Sequence, residues 1–200
     1  WVIAPYSAAV LGDIDADGEP EVVALAANGP WGGESRVVAF RADGQLEWMG
    51  PAQPNTTTSL NSGMDFGVLS IFDIDQDGIP EVWQGSTLYS GLDGTPRAMG
   101  DVGSGIFPIV NDLDGDGIHE LVTHEGIFDP SGTQACNFGL GGIFTSLADL
   151  DGDGQGEVVL TGGRQIGIFD HTCALQQRIA SDDGGAMGPA TIADYDGDGQ

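Results

Sequence analysis

The sequence predicts an all-β chain, built as a β-propeller of four-stranded blades whose ring is incomplete within these 200 residues. Three observations predict it. A nine-residue acidic phrase recurs five times, short β-branched runs flank each copy, and helical periodicity is absent between them.

The phrase reads Asp13-Ile-Asp15-Ala-Asp17-Gly18-Glu19-Pro-Glu21 in its first copy and Asp73-Ile-Asp75-Gln-Asp77-Gly78-Ile79-Pro-Glu81 in its second. Next come Asp112-Leu-Asp114-Gly-Asp116-Gly117-Ile118-His-Glu120 and Asp149-Leu-Asp151-Gly-Asp153-Gly154-Gln155-Gly-Glu157. The fifth, Asp194-Tyr-Asp196-Gly-Asp198-Gly199-Gln200, stops before its closing acid. Successive copies lie 60, 39, 37 and 45 residues apart, lengths that suit one four-stranded unit each.

Each phrase is flanked by strand-like runs. Ala8–Leu11, Val68–Phe72 and Phe144–Leu147 precede copies, while Glu21–Leu25 and Glu157–Leu160 follow them. A second hairpin then follows in the first repeat: Arg36–Phe40, a turn at Asp43-Gly44, and Gln45–Trp48. Weaker versions of that turn occur at Leu92-Asp93-Gly94, Phe128–Gly132 and Phe169-Asp170. Four short strands per repeat describe a propeller blade, and a sandwich of the same strands leaves the repetition unexplained. The blades are expected at about residues 1–60, 61–100, 101–138 and 139–183, with a truncated one at 184–200. The chain opens inside a strand and stops inside a motif, so it is expected to continue, or to meet another copy, where a blade face would lie bare.

The acidic phrase has the chemistry of a calcium loop. Aspartates at positions one, three and five turn their carboxylates to one side of a curl that the glycine at position six permits. A backbone carbonyl near position seven adds an oxygen, and the glutamate at nine closes the set, in line with the six to eight hard oxygens calcium takes at about 2.4 Å. Four carboxylates so close would otherwise repel at roughly 4 kcal/mol per near pair. One such phrase alone could be a solvated turn, but five phased copies, each with an apolar or aromatic residue at position two, are not accounted for that way. An EF-hand is excluded, because position twelve holds Ala24, Gln84, Thr123 or Leu160 where that loop needs a glutamate. The candidate metal residues are therefore Asp13, Asp15, Asp17, Glu19 and Glu21; Asp73, Asp75, Asp77, Ile79 and Glu81; Asp112, Asp114, Asp116, Ile118 and Glu120; Asp149, Asp151, Asp153, Gln155 and Glu157; and Asp194, Asp196, Asp198 and Gln200. Residues at position seven enter through their carbonyls. Four complete Ca2+ sites and a fifth partial one are expected.

Those loops account for much of an unusual charge. The chain carries 31 acidic and 5 basic residues, a formal net charge of −26, and 19 of the acids stand at loop ligand positions. Five divalent ions would bring the net charge to −16. So acidic a chain is not expected to bind nucleic acid, and no apolar run is long enough for membrane insertion as a helix. Cys136 and Cys173 each lie 24 residues after the first aspartate of their own repeat, which favours two buried thiols; a disulfide would require hairpins of unequal length.

With Phe66-Gly67 and Gly188-Pro189 ahead of copies two and five, the phrase resembles the FG-GAP (VCBS) repeat, and Val37–Phe40 followed by Asp43-Gly44 and Trp48 resembles the bacterial surface-protein versions. Integrin α-subunit heads carry similar blades, usually seven to a ring. The resemblance implies the same ligands, at positions one, three, five and nine.

The expected function is adhesion or scaffolding outside the cell or on its surface, through a protein or glycan ligand or through other copies of the chain. A carbohydrate-active lyase and a structural subunit of a surface filament are the alternatives. Strand parity puts the metal loops on one face and the second-to-third and fourth-to-first connections on the other. Two of those connections are long, 26–35 with Trp31 and 50–63 with the sequon at Asn55, so recognition is expected there. Trp83 is expected in the core. His119, His124 and His171 lack a nucleophile beside them in sequence, so catalysis is not expected.

Overall fold

The computed structural model describes residues 2–3, 9–27, 35–52, 69–85, 87–98, 108–180 and 188–194. These form seventeen strands gathered into four antiparallel sheets. The chain divides into two compact units, residues 1–99 and 100–200, each holding two sheets. Trp31, Asn55 and the long connections around them lie outside the described residues.

In the first unit, β1 (Val2–Ile3) and β2 (Val10–Gly12) both pair with β3 (Glu21–Ala27), one at each end, so together they occupy the first-strand position. Strands β4 (Ser35–Phe40) and β5 (Leu46–Met49) complete that sheet. The second sheet runs β6 (Leu69–Phe72), β7 (Glu81–Gln84), β8 (Thr87–Ser90) and β9 (Pro96–Ala98) in chain order. The second unit repeats this plan. Its third sheet comprises β10 (Ile109–Asn111), β11 (Glu120–Val122), β12 (Gly126–Phe128) and β13 (Gln134–Asn137). The fourth comprises β14 (Phe144–Ala148), β15 (Glu157–Gly162), β16 (Gln165–Phe169) and β17 (Leu175–Ala180).

In the second and fourth sheets the second strand is the most buried. Every residue of β7 and β15 is buried, as expected where both faces of a strand are covered, whereas all six residues of β17 are exposed. Trp83 is fully buried, as its place in an apolar run predicts. In the first unit Ile14, Val23, Leu25, Val37, Trp48, Val82 and Tyr89 make one core that spans both sheets. In the second, Leu113, Val122, Ile127, Phe138, Val158, Leu160 and Phe169 do the same, with the Phe138 and Phe169 rings 4.8 Å apart.

Neighbouring sheets are fastened at equivalent positions by two different devices. In the first unit Trp48, paired with Ala39, donates its indole Nε1–H to Gly91 O at 2.6 Å. The ring lies against Gly94, where a Cβ would strike it and where φ is +69°. In the second unit the residue in the Trp48 position is Cys136, paired with Ile127, and the residue in the Gly94 position is Cys173, with φ +63°. These two cysteines form a disulfide, with Cα atoms 5.9 Å apart. Two separate thiols are therefore not what the chain holds. The equal offset of 24 residues conceals unequal hairpins: Cys136 falls on the fourth strand of its sheet, while Cys173 falls in the turn before the fourth strand of the next. A backbone bond adds to this junction, from Gly156 N–H to Leu113 O at 2.8 Å.

Both fastenings should be separable by mutation. Trp48→Ala is expected to destabilise the first unit by about 3–5 kcal/mol in denaturant unfolding, since it empties a buried indole site. Reduction, or the Cys136→Ser/Cys173→Ser pair, is expected to cost the second unit about 2–4 kcal/mol, given a sequence separation of 37 between the cysteines. Equal losses from both units in either experiment would contradict this assignment.

Candidate metal centres

Each of the four described acidic phrases forms the connection between the first and second strands of its sheet, and its shape follows from a fixed set of side-chain to backbone bonds. The aspartate at position one accepts the amide of position six: Gly18 N–H to Asp13 Oδ2 at 3.0 Å, Gly78 to Asp73 at 2.9 Å, Gly117 to Asp112 and Gly154 to Asp149 both at 3.0 Å. The aspartate at position five accepts the amide of position seven at 2.8 Å in all four loops, from Glu19, Ile79, Ile118 and Gln155. The glutamate at position nine folds back onto the loop start. Glu21, Glu81, Glu120 and Glu157 accept the amides of Ile14, Ile74, Leu113 and Leu150 at 3.1, 3.1, 2.8 and 2.6 Å.

Position two is apolar because the same fold-back presses its side chain inward: Ile14, Ile74 and Leu113 are essentially inaccessible. The glycine at position six has φ between +87° and +95° in the four loops, beyond the reach of most side chains. Position four is left-handed too. There Gly115 and Gly152 serve in the second unit, whereas Ala16 and Gln76 take φ of +62° and +59° in the first, at a cost of about 1 kcal/mol each. That requirement is visible as a glycine in three of the five copies, a signal that reading ligand positions alone overlooks.

Within each described loop three carboxylates bring an oxygen within 4.8 Å of one another. In loop one these are Asp13, Asp15 and Asp17; in the others they are positions one, three and nine, namely Asp73, Asp75 and Glu81, then Asp112, Asp114 and Glu120, then Asp149, Asp151 and Glu157. Glu21 thus stands apart from its trio, as do Asp77, Asp116 and Asp153 from theirs. The side chains of position seven take no part, and Ile118 is half exposed. Asp194 is described and exposed, whereas Asp196, Asp198 and Gln200 lie outside the described residues. The donor set, hard anionic oxygens at a strand junction, fits a calcium ion and offers nothing for a softer metal.

The electrostatics agree with a cation-seeking site. Burial raises the carboxyl pKa of Glu21, Glu81 and Glu120, opposed by the amide at position two and assisted by the loop aspartates. The turn between the third and fourth strands lies at the same end of each sheet as the acidic loop and is held by another aspartate. Asp129 and Asp170 sit below the usual carboxyl range: burial alone would raise them, but a hydroxyl from Ser131 or Thr172 and several amides outweigh it. Beside loop four, a cavity of about 410 Å³ lies between Asp151, Asp153 and Glu157 and the Asp170–His171 turn. His124, at the opposite end of its sheet, has a buried Nδ1 without a partner among the described residues.

Residues 13–84 match the family model of the FG-GAP-like repeat. No curated protein matches the chain. Among solved structures, the V. cholerae biofilm matrix protein Bap1 is similar with a TM-score of 0.67 at 21% identity, over 87% of this chain and 28% of that one. A rhamnogalacturonan lyase of Bacillus licheniformis is similar with a TM-score of 0.50 at 13% identity, over 88% and 50%. BBS1N, solved in complex with ARL6DN, is similar with a TM-score of 0.52 at 14% identity, over 90% and 56%. The chain therefore spans between about a quarter and three fifths of these proteins, and at such identities the likeness is one of fold.

The raised glutamates have a pH consequence. A carboxyl whose pKa is raised on folding stabilises the fold below its unfolded value, near 4.5, and that contribution is lost as pH rises through the folded value. With a chelator present, melting temperature should therefore rise as pH is lowered from 7 towards 5. Glu120→Gln keeps an acceptor for Leu113 N–H while removing the charge; it should leave the chelated protein as stable or more so, yet weaken calcium binding at loop three at least about tenfold. A drop in chelated stability equal to that in calcium would make Glu120 purely structural.

Proposed function

We propose that this chain, whose residues 13–84 carry FG-GAP-like repeat sequence, is an extracellular or cell-surface propeller segment that calcium rigidifies and that works by adhesion or scaffolding. One observation carries the reading. Four loops in four sheets are folded by the same bonds, and each gathers three carboxylates without a lysine or arginine of its own. Bound calcium would supply positive charge and oxygen coordination that holds the loop closed. The residues that would take it are the first, third, fifth and ninth of each loop, with a carbonyl at the seventh, in repeats running about 1–60, 61–100, 101–138 and 139–183 and a fifth beginning at 184. The chain's own contribution is to orient those oxygens through backbone amides and to bury the position-two side chain beneath them.

The metal is then a support and not the recognised partner. Contact with a protein or glycan falls to the opposite ends of the sheets, or to other copies of this chain. Similarity to a biofilm matrix protein and to BBS1N, which was solved in complex with ARL6DN, favours interaction over catalysis, while similarity to a rhamnogalacturonan lyase sustains a carbohydrate-active enzyme as the second reading. A calcium-stabilised surface segment also accords with the Cys136–Cys173 disulfide, since such bonds persist in oxidising compartments.

Calcium should raise stability by about 2.7 kcal/mol for each site held at a hundredfold excess over its Kd, and scanning calorimetry with calcium or chelator would measure it. An unchanged melting temperature would sink the structural role. A glycan and matrix-protein array in calcium should show retention without turnover; release of unsaturated oligosaccharides from a pectic substrate would instead establish the lyase.

A further inference from the structure

The four described loops share their bonding, but the charge set beside them differs. On β9, Arg97 places Nη1 3.2 Å from Asp75 Oδ2. Asp75 is one of the three carboxylates that converge in loop two. Arg41, by contrast, is ion-paired with Glu47 on β5, outside the loops, and feels Asp15 of loop one only as a longer-range attraction. Register explains how Arg97 comes to be there. Residues opposite Ala39, Ile127 and Ile168 in the other three sheets are Trp48, Cys136 and Gln177, each reached across a register shift. The β8–β9 pair has no such shift, and Arg97 stands opposite Leu88 in the same slot. An uncharged or apolar residue in three sheets is thus a cation in the fourth, at the end of the sheet where the metal loop lies.

We propose that Arg97 is a built-in competing cation that makes loop two the weakest calcium site of this chain. The inference rests on the calcium reading above. Without metal, the guanidinium satisfies Asp75 and offsets part of the repulsion among Asp73, Asp75 and Glu81. A divalent ion entering loop two must draw Asp75 away from Arg97 and then share the site with its charge. In loop one Arg41 acts on Asp15 only at longer range while it binds Glu47, and the direct guanidinium contact to a converging carboxylate is seen in loop two, so the other loops fill first. Loop two then responds at calcium levels where its neighbours are already mostly filled. Because the pair is about two-fifths exposed on the arginine side and one-third on the aspartate side, solvent screens it, and the penalty is a modest one of about three- to tenfold in Kd.

Calcium titration calorimetry of the full chain provides the test, with Asp73→Asn identifying the step that belongs to loop two. The weakest step should vanish in Asp73→Asn, tighten about three- to tenfold in Arg97→Gln, and stay weak in Arg97→Lys, which keeps the charge. Arg97→Met, which keeps the aliphatic stem, should reproduce the Gln result, and near-UV circular dichroism in chelator should show all variants folded. A weakest step that survives Asp73→Asn, or that weakens or stays unchanged in both Arg97→Gln and Arg97→Met, overturns the proposal while leaving calcium binding intact. Absence of any calcium-binding step in the parent chain overturns the calcium reading itself.

Discussion

Much of this chain depends on a single bond, the one by which a glutamate at the start of the second strand accepts the amide of the residue two places into the preceding loop. Because Glu21, Glu81, Glu120 and Glu157 each close that bond, the loop returns over itself, the first and second strands are held in register, and the apolar side chain at position two is driven into the core. The same carboxylate is buried or half-buried close to the aspartates. At Glu21, Glu81 and Glu120 the carboxylate serves stability poorly by itself, since desolvation and like charge both act against its ionised form. The loop geometry thus creates an electrostatic demand that a cation would meet, and that demand links fold to function.

The second constraint is the contact between adjacent sheets. A blade covers its neighbour through few residues, so each contact matters. One pair of sheets uses a large indole over a glycine, with the indole N–H satisfied by a carbonyl; the other uses a covalent bond between the two equivalent positions. Shape explains the exchange. An indole needs a partner without a side chain, which is why Gly94 faces Trp48, whereas two cysteines need only Cα atoms at bridging distance. The left-handed backbone at both Gly94 and Cys173 shows that the turn conformation is the common element and the fastening is what varies.

Strand positions were largely legible because they depend on local patterning. The runs at Glu21–Leu25, Arg36–Phe40, Phe144–Leu147 and Glu157–Leu160 are apolar, β-branched and bounded by turn residues, and strands stand at each of them. The shape of the acidic loops was legible because the spacing of aspartate, glycine and glutamate sets their side-chain to backbone bonds. Two features resisted. The left-handed requirement at position four is masked by Ala16 and Gln76, which take the conformation without advertising it. Which three carboxylates converge also differs between loop one and the rest, a difference of side-chain rotation that spacing does not encode.

The sequence by itself determined the repeat, the all-β blades and the acidic loops, because each is written in local patterning and spacing within one repeat. The tertiary structure decided which residues from different sheets meet. The equal offset of Cys136 and Cys173 argued against their bond, yet the longer hairpin of the fourth sheet shifts one cysteine from strand to turn and brings the two together. In the same way, the missing register shift between β8 and β9 carries Arg97 to Asp75, 22 residues away. One outcome depends on longer second and third strands and the other on an absent bulge, differences whose effects appear only when distant segments are packed side by side.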